Sequence, residues 1–80
     1  MDEKFLDRIV IDEKIMVGKP VIRGTRLTVQ HILGLFAQGM QIDDILQEYK
    51  NLKKEDILAC FMFAQDALDN TVFAPLSAAK

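Results

Sequence analysis

Apolar residues recur at helical spacing through the second half of the chain and gather into short β-branched runs in the first. Val29, Ile32, Leu33 and Phe36 fall at i, i+3, i+4 and i+7, which predicts a first helix with one apolar face. Thr28 has the hydroxyl an N-cap needs, and Gly39 has the backbone freedom a C′ position demands. Ile42, Ile45, Leu46 and Tyr49 repeat the spacing, with Asp43 and Asp44 complementing the helix dipole in the first turn. A second, shorter helix is expected there. Leu52 closes a short turn, and Glu55 and Asp56 open a third helix running to about Asp69, with Ile57, Phe61, Ala64 and Leu68 as its stripe. Three helices joined by tight turns have a helix-turn-helix shape.

The third helix also contains eight consecutive apolar residues, Ile57 to Ala64, which cover every side of two turns. Such a segment is expected to be buried more than halfway round. An 80-residue monomer has too little protein to surround it, so part of Leu58, Cys60, Met62 and Phe63 is expected to meet a second subunit. Leu58, Met62 and Phe63 are the candidate oligomer or partner interface, and a homodimer is expected.

Ile9-Val10-Ile11 and Val21-Ile22-Arg23 read as two short strands, each bounded by Gly, Pro or charged residues. Pro20 suits the first position of a strand, and Gly18 and Gly24 can take the positive φ of turns. The fold class is therefore mainly α, three helices with a short N-terminal β-hairpin-like extension over about residues 8–26. That extension is too small to stand alone and must pack on the helices. Residues 1–70 form a single domain in this reading, and 71–80 a flexible tail.

Composition sharpens the picture. Half of the residues are hydrophobic and 28% charged, with mean hydropathy +0.10, which excludes a disordered chain. A core of this size rarely supplies more than about 3–5 kcal/mol, so self-association or a partner is the default expectation. One cysteine makes no internal disulfide, and no glycosylation sequon is present. The longest apolar run has eight residues, against about 20 needed to cross a bilayer. The opening MDEKFLDR lacks the pattern of a signal peptide, so a cytoplasmic location without membrane contact is expected.

Net charge is −2 and the isoelectric point about 5.2, so nucleic-acid contact would have to rest on local charge. Residues 14–26 carry Lys14, Lys19, Arg23 and Arg26 with no acid, and Lys50, Lys53 and Lys54 stand at the turn into the third helix. The second group lies where a recognition helix presents its N-terminus. Lys50, Lys53, Lys54, Arg23 and Arg26 are the candidate DNA-binding residues, with Glu55 and Asp56 opposing them.

Catalytic chemistry finds little footing. His31 and Cys60 are the candidates for a base and a nucleophile, yet Cys60 lies in the apolar run and His31 off its helix stripe. One His and one Cys match no zinc spacing, and Asp43/Asp44 and Glu55/Asp56 read as dipole complements. The segment Gly18 to Thr25 resembles a phosphate loop only superficially, because no Lys stands between its last Gly and Thr. No enzyme activity, metal, cofactor or small-molecule substrate is expected.

The string Gly18-Lys19-Pro20-Val21-Ile22-Arg23-Gly24-Thr25-Arg26 carries a resemblance, together with Gln38-Gly39-Met40, Ile45-Leu46-Gln47-Glu48-Tyr49, and Leu52 with Asp56-Ile57. Over about Ile9 to Leu68 the chain resembles the domain of unknown function 433 family. The resemblance implies a homeodomain-like helix-turn-helix with an N-terminal β extension. It also implies kinship with VapB-type antitoxins, which pair with nuclease toxins of the PIN type, and hence a DNA-binding antitoxin or regulator. The alternative is a protein-interaction module that dimerises or binds a partner through the third helix without touching DNA. Gly18, Pro20, Gly24, Thr25 and Gly39 are the structural motif residues. Two departures from the family pattern stand out: Lys50 where Pro is usual, and Lys53 where a Ser or Thr N-cap is usual. Losing that cap would cost the third helix about 1 kcal/mol.

Overall fold

The computed structural model describes residues 7–73, so the tail expected from 71 to 80 lies, from 74 onward, outside the described residues. Strand β1 (Ile9–Val10) pairs antiparallel with β2 (Val21–Ile22), Ile9 opposite Ile22 and Val10 opposite Val21. Ile11 and Arg23, expected within strands, fall just outside them: Ile11 is 62% exposed and Arg23 enters a turn. The other edge of β2 is occupied as well. Val21 bridges to Thr28, the Ile22 N–H donates to the Leu27 carbonyl (2.9 Å), and the Val29 N–H donates to the Pro20 carbonyl (2.9 Å). A first-turn helix donor that would otherwise lack a partner is thereby satisfied by the residue just before the strand.

Between the strands the chain makes a 3-10 turn at Met16–Gly18, with φ of 50° at Met16, 56° at Val17 and 79° at Gly18. Only glycine takes this region freely, and β-branched Val17 adopts it at a steric cost.

Helix α1 (Val29–Ala37) opens as expected, with the Thr28 hydroxyl accepting from the His31 N–H at 3.0 Å. It closes in a Schellman motif, the Gly39 N–H donating to the Phe36 carbonyl (2.9 Å) and the Met40 N–H to the Leu35 carbonyl (3.1 Å). Gly39 makes this closure with φ of 101°. Helix α2 (Ile42–Glu48) begins where the Asp44 carboxylate accepts the Gln41 N–H at 2.9 Å. Helix α3 (Lys54–Asp69) follows after the turn that holds buried Leu52. The architecture is a mainly α small domain, three helices and a two-stranded antiparallel sheet at the N-terminal side.

The core is built from all of these elements: Ile9, Ile22, Val29, Ile32, Ile45, Leu52, Ile57, Ala59 and Cys60. One expectation needs correcting. The buried side of α3 holds Asp56, Ile57, Ala59 and Cys60, and of the expected stripe Ile57, Phe61, Ala64 and Leu68 only Ile57 is buried. Phe61 is 39% exposed but packs on Phe36 of α1, ring centroids 4.9 Å apart, and Leu68 is 59% exposed. An unbroken apolar run has no phase of its own, so contact with α1, α2 and β1 decides which side turns inward. Cys60, expected partly at a subunit contact, is enclosed by the chain's own core. No helix among the described residues is long and apolar enough to cross a membrane.

Candidate nucleic-acid interface

The start of α3 is organised by one carboxylate. Asp56 is the third residue of the helix and only 8% exposed. Its Oδ2 accepts the Lys53 N–H at 2.9 Å, satisfying a donor that a Ser or Thr N-cap leaves to such a reciprocal acid. The Lys53 side chain supplies no cap bond, so half of a capping box stands where the expected loss was placed. Oδ1 of Asp56 accepts from Arg8 Nη1 at 3.0 Å, an ion pair that joins residues 48 positions apart.

Arg8 directly precedes β1, and its carbonyl accepts the Arg23 N–H at 2.8 Å. Arg23 Nε–H in turn donates to the Asp7 carbonyl. Arg23 is thus tied to Arg8, and Lys53 to Asp56, through their backbone N–H groups. Lys54 follows Lys53 at the first helical position and Lys50 precedes it in the turn, and all four cations are exposed. The negative charge of Asp56, which would repel a phosphate, is met by Arg8; Glu55 remains exposed and unneutralised by any ion pair among the described residues.

Arg26 is not part of this group. It lies past a turn in which the Thr25 N–H donates to the Ile22 carbonyl at 3.0 Å. Gly24 occupies the third position of that turn with φ of 79°, the geometry of a type II turn. The Thr25 hydroxyl donates to the Ile22 carbonyl (2.7 Å) and accepts the Leu27 N–H (3.0 Å), so its polar groups serve the local backbone. With Ile15, Gly24 and Thr25, exposed Arg26 lines an open cleft of about 340 Å³. Gly18 closes the left-handed turn, and Pro20 sits half-buried directly before β2.

The interface candidates divide. Phe63 is half-buried and packs against the core, whereas Leu58 and Met62 are half-buried without joining the residues packed there. His31 is exposed and shares a 3.2 Å hydrogen bond with the Tyr49 hydroxyl, tying α1 to the end of α2. Cys60 has no exposure, and burial, with the charge of Asp56 adding to it, pushes its thiol up to about 12. No cluster of three or more His, Cys, Asp or Glu side chains able to hold a metal occurs among the described residues.

Sequence reasoning missed Arg8 and read Asp56 as a solvated dipole complement opposing the lysines, not as a bridge. The one available signal was the position of Asp56 three residues after the N-cap, which is where a reciprocal acid belongs.

The family model described as "protein of unknown function (DUF433)" matches residues 9–64. The chain belongs to the DUF433 family. The DUF433 match takes in both strands, α1, α2 and most of α3, hence Arg23, Lys50, Lys53, Lys54 and Asp56, while Arg8 lies one residue before it. An uncharacterized protein of Archaeoglobus fulgidus is 62% identical over 24 residues, 30% of this chain and 67% of that protein. No solved structure matches the chain.

Proposed function

We propose that this DUF433 protein is a small helix-turn-helix DNA-binding regulator, the antitoxin-like member of a two-gene module. In this reading α2, the turn through Lys50, and α3 form the helix-turn-helix, and the protein acts in the cytoplasm as a homodimer. The observation that carries it is the Arg8–Asp56 ion pair, to which Arg23 and Lys53 are joined by backbone hydrogen bonds, with Lys50 and Lys54 exposed close by in sequence. These groups position the protein on phosphates, and α3 approaches the groove by its N-terminal end. Arg26 extends the same basic field from the turn beyond β2. A nuclease of the PIN type, implied by the resemblance of the family to VapB-type antitoxins, is the proposed protein partner.

The test is a titration of the protein into a labelled duplex from upstream of its own gene, against a scrambled duplex, at two salt concentrations. If Lys50, Lys53, Lys54 and Arg23 of each protomer neutralise one phosphate apiece, log affinity of the dimer falls with log salt at a slope of about −7. Lys53→Glu with Lys54→Glu should flatten that slope and weaken binding while circular dichroism is unchanged. Absence of binding at low salt would sink the DNA reading. A second reading, a protein-interaction module without DNA, is favoured by the exposed Leu68, Val72 and Phe73 at and after the last turns of α3.

A further inference from the structure

The last turn of α3 meets solvent on every side. Gln65, Asp66, Ala67, Leu68 and Asp69 are all exposed, and five consecutive residues go more than once round a helix of 3.6 residues per turn. Its carbonyls are closed locally, Asn70 Nδ2–H donating to the Asp66 carbonyl and the Thr71 hydroxyl to the Ala67 carbonyl, each at 2.8 Å. This end therefore needs no neighbouring element to satisfy those groups. Leu68, Val72 and Phe73 are 59%, 99% and 63% exposed. Glu55 and Asp56 suit the positive end of α3, whereas Asp66 and Asp69 stand against its negative end. From Glu55 to Ala79 the sequence holds no Lys, Arg or His. The opposite composition stands in the hairpin. Residues 14–26 hold Lys14, Lys19, Arg23 and Arg26 and no acid, with Asp12 and Glu13 preceding them. There exposed Arg26 lines the open cleft of about 340 Å³, beside half-buried Ile15. Within one chain the two regions do not pair: among the described residues no ion pair joins Asp66 or Asp69 to a cation.

We propose that the end of α3 docks on the Arg26 cleft of a second copy of this chain, and that two copies exchange these contacts reciprocally. The occupant follows from complementarity: an acidic, apolar helix end without cations fits a basic cleft with an apolar side chain, and one chain supplies both. Asp66 and Asp69, one turn apart, face the partner's Arg26, and Leu68 lies against the partner's Ile15. Each copy gives one helix end and receives one, so the assembly closes at two. The proposal rests on the homodimer in the reading above and not on its DNA contact. With Arg26 turned to the partner, Lys50, Lys53, Lys54 and Arg23 carry the phosphates.

Sedimentation equilibrium of the full chain without DNA tests it. One variant is Arg26→Glu and the other Asp66→Lys with Asp69→Lys. All three positions are exposed, and lysines suit a helix C-terminus, so both variants should stay folded by circular dichroism. Each should raise the dimer dissociation constant about tenfold, because attraction becomes repulsion at both contacts. An equimolar mixture of the two should recover most of that loss. In the mixed dimer one contact pairs the introduced glutamate with the introduced lysines, and the other pairs native Arg26 with native Asp66 and Asp69. Recovery on mixing requires a contact between copies, so loss without recovery would overturn the exchange. A dimer indifferent to both variants would overturn the docking and leave the homodimer standing. Assemblies longer than two copies would overturn the reciprocal closure, and a chain that stays monomeric up to millimolar concentration would overturn docking and homodimer together.

Discussion

Asp56 performs two tasks with one side chain, capping α3 through Oδ2 and holding Arg8 through Oδ1. Removing it leaves an uncapped helix and an unpaired guanidinium that is about one-third exposed, so solvent recovers part of the loss. Asp56→Ala should therefore destabilise the protein by about 2 kcal/mol, while Glu55→Ala, one position earlier and fully outward, should stay within about 0.5 kcal/mol. Urea unfolding of the two variants checks the contrast, and equal effects would remove the bridge from the account. Cys60 adds a pH dependence. In the unfolded chain its thiol loses its proton near 9.0, whereas in the folded core it holds the proton to about 12. A raised folded value means the contribution is fully present below pH 9.0 and lost as pH rises toward 12. Stability should fall across that window by up to about 1.4 kcal/mol per pH unit. Cys60→Ala has no thiol to ionise and should show a shallower decline, measured by urea titration below and above that threshold.

At the level of elements, the ends of α1 and the start of α2 were legible because their signals are local: Thr28 caps, Gly39 turns left-handed, and Asp44 reaches back to Gln41. The strands were legible to within one residue for the same reason. The phase of α3 was not, since eight apolar residues in a row fit any phase and only the surroundings choose one. Ile57→Ala, at a position with no exposure, should cost about 2–5 kcal/mol, which is most of what a core this small supplies. Leu68→Ala, though part of the same expected stripe, should cost less than about 1 kcal/mol in unfolding of the monomer. Thermal melts of the pair at low concentration decide between the observed phase and the expected one. In the candidate site the lysines could be picked out by charge alone. Arg8 could not, because its partner lies 48 positions away and no periodicity links strand to helix.

For the molecule as a whole, each regular element contributes one isoleucine to the core: Ile9 from β1, Ile22 from β2, Ile32 from α1, Ile45 from α2 and Ile57 from α3. No element can leave without exposing the others, and small domains built this way unfold in one step. Phe61, although 39% exposed, packs on Phe36 of α1 with ring centroids 4.9 Å apart, so the middle of α3 is held to the first helix beyond the core itself. The enclosure of Cys60 has a practical consequence. The chain contains one thiol, with no exposure, so a soluble alkylating reagent can reach it only through opening of the core. Its labelling rate, relative to that of the denatured chain, is then a clock for transient opening that needs no introduced probe. Anything that binds the closed form, duplex or second copy, must slow that clock in proportion to its occupancy.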